Sequence, residues 1–278
     1  MKKVPRFQFT EAHEMTADGT VKFVCSSNRD HWPWLGLDPF DPIVVQSINY
    51  WASIETGIAR GLLDPAKWSA LTRMDWTCGN QGAGRPVTGI SEQSGASDEP
   101  GYRLKLFDAK DAVVLEINGT GVMFNTRDFE TWRMKAKKKI GALATPDTFS
   151  YADAAAVGVM QQHECFLSEL NPDKIPCAQA LITQDNGFPP AHPYHSGSGD
   201  HVNSTHLADA ARQFVHQLQG GPQTDISGGE MTFVRYVELG YPFDIKLDPE
   251  TGSTTSFAMQ ISQADQLCAK VTLRLRSD

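Results

Sequence analysis

Residues 194–213 constrain this chain more than any other stretch. Tyr194 and His195 open a Gly/Ser-rich loop, Ser196-Gly197-Ser198-Gly199-Asp200, which runs into a predicted helix over 203–219. Asn203, Ser204 and Thr205 mark the helix start, because short oxygen-bearing side chains accept hydrogen bonds from unpaired N–H groups there. Leu207, Ala211, Phe214, Val215 and Leu218 repeat at helical spacing and define one apolar stripe. Asp209 lies opposite that stripe, with His216 and, less squarely, Arg212 and Gln213. A loop histidine with a helical carboxylate fourteen residues on is a candidate acid/base pair. A surface histidine in a flexible loop is the plain alternative.

At 278 residues the chain has room for one large domain or two of about 140. Its apolar content of 40% and charged content of 21% are those of a globular protein with a real core. A net charge of −8 argues against nucleic acid or an anionic membrane as partner. No apolar run is long enough to span a bilayer, and the basic N-terminus lacks the apolar core of a signal peptide. The five cysteines, Cys25, Cys78, Cys165, Cys177 and Cys268, lack C-x-x-C spacing and are odd in number. Reduced thiols and a cytoplasmic location are the expectation. His192, His195, His201 and His206 cluster, but not in the four-ligand spacing of a closed zinc site, so no metal and no cofactor is expected.

Before the histidine loop, residues 20–27 read as a strand. A Trp- and Pro-rich loop follows, with Trp32, Trp34, Asp41 and Pro42. A helix is predicted over 42–63, its stripe set by Val44, Ile48, Trp51, Ile58 and Leu62. Glu55 falls inside that stripe. A carboxylate there must be paired, protonated, at a cavity, or on a stem bent to solvent, with Arg60 or a distant Lys as candidate partner. Residues 66–125 read as antiparallel strands. Gly119 and Gly121 suggest a bulge or close approach, and Gly79, Gly82 and Gly84 read as turns. A basic run (Arg133, Lys135, Lys137, Lys138, Lys139) reads as a solvated connector, or as a rim for a phosphate. The second half repeats the outline: a strand at 175–185, the histidine loop, one long helix, then strands near 230–247, 254–262 and 267–276.

His195-x-x-x-Gly199 followed by Asp209-x-x-x-Gln213 resembles the active-site signature of β-hydroxyacyl thioester dehydratases of the hotdog fold. The runs at 200–213 and 228–239 are also similar to the repeat of A-factor biosynthesis proteins. The resemblance implies an α+β double hotdog: two tandem units, each a long helix wrapped by an antiparallel sheet. The expected units are 1–140, with a degenerate motif, and 141–278, carrying the motif. It departs at position 204, where Ser stands for the family's Pro. In the first half, the stretch 28–51 resembles the family's Asp-x-Trp…Asp-Pro run, but the histidine falls at Leu37 and the acid at Trp51.

The resemblance implies dehydration of a 3-hydroxyacyl thioester on acyl carrier protein or coenzyme A. His195 would be the base and Asp209 the acid. Gly199, Gln213, Tyr194 and Trp51 would contact or support the substrate. The family usually draws histidine and acid from opposite units, so Glu55, one turn beyond Trp51, would replace the missing acid; the site is then His195 with Glu55, and Asp209 is a vestige or a structural partner. The other expectations left open are a thioesterase or related enzyme on the same fold, a non-catalytic acyl binder, and a homodimer.

Overall fold

A computed structural model describes residues 8–63, 68–95, 101–124, 133–134, 137–138, 140–141, 149–172, 174–183, 186, 201–221, 225–249 and 253–277. The chain divides into two compact units, Met1–Asn125 and Thr126–Asp278. The division comes earlier than the expected 140/141 boundary, because Arg133 is bound into the second unit.

The first unit holds β1 (Thr10–Met15), β2 (Val21–Cys25), α1 (Pro42–Ala59), β3 (Trp68–Cys78), β4 (Thr88–Ser94), β5 (Gly101–Phe107) and β6 (Val113–Phe124). Its strands run antiparallel in the order β1-β2-β4-β5-β6-β3. Val44, Ile48 and Ala52 of α1 are buried, as are Phe23, Met74, Trp76, Leu104, Leu106, Leu115 and Ile117 of the strands. Each large side chain so buried contributes about 1.5–3 kcal/mol. Tyr102 of β5 stands opposite Gly119 of β6, and its ring occupies the space a Cβ there would need. Its hydroxyl donates to Asn49 Oδ1 of α1 at 2.7 Å. Burial pushes the Tyr102 phenol up to about 12.

Two expectations change here. Helix α1 stops at Ala59 rather than 63, since Gly61 takes a left-handed φ of 73°. Leu62, beyond the helix, is 48% exposed, and Ile58, in its last turn, is 36% exposed, so neither completes the stripe. The polar segment Thr10–Met15 forms an edge strand that no apolar alternation announces. Its register breaks between Glu11 and Glu14, where Ala12 has φ 52°.

The second unit holds β7 (Cys177–Ala180), β8 (His201–Val202), α2 (Ser204–Gln219), β9 (Ile226–Phe233), β10 (Val237–Glu238), β11 (Phe243–Leu247), β12 (Ser256–Gln263) and β13 (Gln266–Leu275). The antiparallel order is β9-β13-β12-β11-β7, with β8 and β10 as a separate pair. The expected strand at 230–247 is thus three short pieces. Arg133 departs from the solvated-connector reading: it is 1% exposed and grips Glu238, which is 2% exposed. Arg133 Nε and Nη2 meet the two carboxylate oxygens at 3.1 and 2.5 Å. A buried carboxylate needs such a fork-shaped partner to offset its lost hydration.

Candidate functional site

Helix α2 begins with a reciprocal cap. Asn203 Oδ1 accepts from His206 N at 3.2 Å, and His206 Nδ1 accepts from Asn203 N at 3.3 Å. The helix ends at Gly220, φ 71°. His206 is fully buried, in ring contact with Phe166 at 6.0 Å, so it serves the helix start. Cap and turn spacing place Thr205, Asp209 and Gln213 in one lane, four residues apart.

Asp209 lies off the apolar stripe, as the spacing predicts, yet it is 1% exposed. Residues 151–168, which carry two short turns of 3₁₀ helix at Ala154–Val157 and Gln162–Glu164, cover this face. Arg212 Nε donates to Asp209 Oδ1 at 2.7 Å and Gln213 Nε2 donates to Oδ2 at 3.0 Å. Gln213 also donates to Glu164 O at 3.0 Å and accepts from Phe166 N at 2.9 Å. Arg212 Nη1 reaches Gly158 O at 3.1 Å. At Gly158, φ 67°, any Cβ would collide with the His216 ring, so glycine lets the covering segment come close to the helix at this point. Burial above all, with the charge of Asp209, raises the pKa of the nearby Cys165 thiol.

One atom in this lane is left over. Thr205 Oγ1 is buried, the residue 1% exposed, and has no hydrogen-bond partner among the described residues. Thr205 is the second residue of the helix, so it has no helical carbonyl one turn earlier to bond back to. An unmet buried hydroxyl costs about 1–3 kcal/mol.

In the first unit, Glu55 is 8% exposed. It neither bends to solvent nor pairs with Arg60, whose guanidinium bonds Gly19 O and Ser91 O. Its oxygens instead accept from Phe9 N at 3.0 Å, Thr10 N at 2.7 Å and Thr10 Oγ1 at 2.7 Å. Burial, then the charge of Glu55, pushes the Cys25 thiol up to about 12. Trp51, half-buried, packs its ring on Trp32 at 4.9 Å and Tyr50 at 5.2 Å.

The two units share a register. Glu55 accepts from the backbone of fully buried Phe9, and Gln213 from that of fully buried Phe166. One turn earlier stand Trp51 and Asp209. That is the same alignment in which Leu37 matches His195. Asp209 and Gln213 are brought together, and Trp51 and Glu55 occupy the matching turns of α1. Tyr194, His195 and Gly199 lie outside the described residues. Sequence reasoning did not anticipate the covering segment 151–168 or the Phe9 and Thr10 donors, since neither carries a periodic pattern. Among the described residues no group of three metal-binding side chains occurs, and no helix is long and apolar enough to cross a membrane.

No family model matches the sequence, and no curated protein matches it. Solved structures do. An acyl-ACP thioesterase from Bacteroides thetaiotaomicron is 12% identical, with 93% of this chain and 97% of that one covered and a TM-score of 0.54. The 12:0-ACP thioesterase from Umbellularia californica is 14% identical, with 93% and 97% covered and a TM-score of 0.51. The dehydratase domain of RzxB from Pseudomonas fluorescens is 12% identical, with 96% and 97% covered and a TM-score of 0.50. At these identities the likeness is one of fold, and the fold is the α+β double hotdog that the motif resemblance implied.

Proposed function

We propose that this protein is an acyl-thioester-processing enzyme that dehydrates a 3-hydroxyacyl thioester carried on acyl carrier protein or coenzyme A. The observation that carries the reading is the buried Asp209–Gln213 pair, standing on the long helix of a fold shared with a dehydratase domain and acyl-ACP thioesterases. His195 takes the α-proton. Asp209 protonates the C3 hydroxyl, the C3–O bond breaks, and water leaves an enoyl thioester. Gly199 and Tyr194 flank the bound acyl group in this scheme. Both proton transfers use side chains alone, so the step needs no cofactor. We assign the acid to Asp209 rather than Glu55, because Glu55 does for β1 what Gln213 does for Phe166. The irregular motif fits a specialised route, such as polyketide assembly, better than bulk fatty-acid synthesis.

One observation favours a second reaction, thioester hydrolysis. Both oxygens of Asp209 act as acceptors, from a guanidinium and an amide. That arrangement suits a carboxylate that orients attacking water.

One experiment decides between them. The purified chain is offered 3-hydroxyacyl and saturated acyl thioesters of several lengths, on pantetheine, coenzyme A and carrier protein. Enoyl absorbance and free thiol are followed together. The expected result is enoyl formation without thiol release, reduced about 10²-fold or more in His195→Ala and Asp209→Asn. Thiol release alone selects hydrolysis. A folded Glu55→Gln variant that loses the activity while Asp209→Asn keeps it moves the acid to Glu55. No turnover of any substrate removes the enzymatic reading and leaves an acyl binder.

A further inference from the structure

Thr205 is the member of the α2 lane that the proposed chemistry does not use. It sits one turn before Asp209, on the same lane, in the first turn of a helix of 16 residues. Its hydroxyl is buried and unpartnered among the described residues, while its lane neighbours Asp209 and Gln213 are both satisfied. The first turn also carries the positive end of the helix dipole, which favours negative charge arriving there. A hydroxyl donor in that place suits an oxygen that gains charge during reaction.

We propose that Thr205 Oγ1 donates a hydrogen bond to the thioester carbonyl oxygen of the bound substrate. The assignment rests on the thioester reading of the Asp209 site. In a 3-hydroxyacyl thioester, C3 and the carbonyl carbon are two bonds apart. A substrate whose C3 hydroxyl meets Asp209 can therefore turn its carbonyl toward the residue one turn earlier. When the α-proton leaves, the electron pair moves onto that carbonyl oxygen, making an enolate. The pair returns as the C3–O bond breaks. The Thr205 donor is strongest toward the enolate, so it acts on the rate more than on binding.

The orphan hydroxyl makes the test specific. Thr205→Val keeps the shape and removes the only polar atom of the side chain. A hydroxyl bonded within the protein is missed on removal; an unpartnered one is not. The expected result is that Thr205→Val lowers kcat about 10²-fold, changes KM by less than about threefold, and leaves Tm equal or higher by about 2 °C. Thr205→Ser, which restores the donor, recovers most of the rate. A kcat unchanged in Thr205→Val overturns the proposal, and so does a Tm that falls or a variant that fails to fold, since either shows an internal partner. These outcomes are distinct from failure of the thioester reading, in which wild-type protein turns over nothing and Thr205 loses its proposed role with it.

Discussion

The two long helices solve the same problem with different chemistry. Each must tie down the backbone of a buried phenylalanine. On α1 the tie is a carboxylate, Glu55, which can only accept and takes three donors from Phe9 and Thr10. On α2 it is a carboxamide, Gln213, which accepts from Phe166 N and still has two donors to give. One of those donors holds Asp209, a turn earlier. A carboxylate in the Gln213 position would repel Asp209 instead. The choice of tie and the residue before it are therefore linked: Glu55 goes with Trp51, and Gln213 goes with Asp209. The unit with the neutral tie is the one able to keep a second buried carboxylate.

That contrast can be broken most directly at Glu55. Glu55→Ala strands three buried donors and should lower stability by about 3–5 kcal/mol in urea unfolding; a loss under about 1 kcal/mol would show that β1 is held by other means. Gln213→Glu gives α2 the tie of α1. It keeps the bond from Phe166 but loses the bond to Glu164 O and sets like charges together, for an expected cost of about 3 kcal/mol. Were this variant as stable as wild type, the linkage between tie and neighbour would be wrong.

The linkage itself is measured by a double-mutant cycle. Trp51→Asp should be less damaging in a Glu55→Gln background than alone, with a coupling of about 1–2 kcal/mol in favour of the pair. Zero coupling would reduce the parallel between the units to coincidence. The smallest effect is chemical. The Cys25 thiol, pushed up to about 12, holds little thiolate at neutral pH and should alkylate far more slowly than half-exposed Cys177. Glu55→Ala removes a charge that raises the Cys25 pKa, so labelling at Cys25 should speed up; no change would mean that burial alone sets its reactivity.

Much of the architecture was legible because periodicity is a local property. The helix stripe of Val44 and Ile48 and that of Leu207, Phe214 and Val215 both mark faces that are buried. Asn203 and Gly220 mark the ends of α2 by the side-chain and backbone chemistry a helix terminus requires. The edge strand at Thr10–Met15 was not legible, since a polar strand at a sheet edge has no apolar alternation to show.

At the candidate site the division is sharper. Sequence alone determined that Asp209 and Gln213 share a helix lane, because spacing on a helix dictates who is neighbour to whom; Trp51 at the place of a second acid was what the family resemblance implied. Sequence could not say that Asp209 is buried beside residues 151–168, that Arg212 grips it, or that Glu55 is occupied by the Phe9 and Thr10 donors. Nor could it show that, among the described residues, the Thr205 hydroxyl has nothing to bond. Those facts depend on segments tens of residues apart in the chain meeting at hydrogen-bond distance. Only the tertiary fold decides such meetings, because the donors that satisfy a buried charge come from whichever backbone the packing brings alongside.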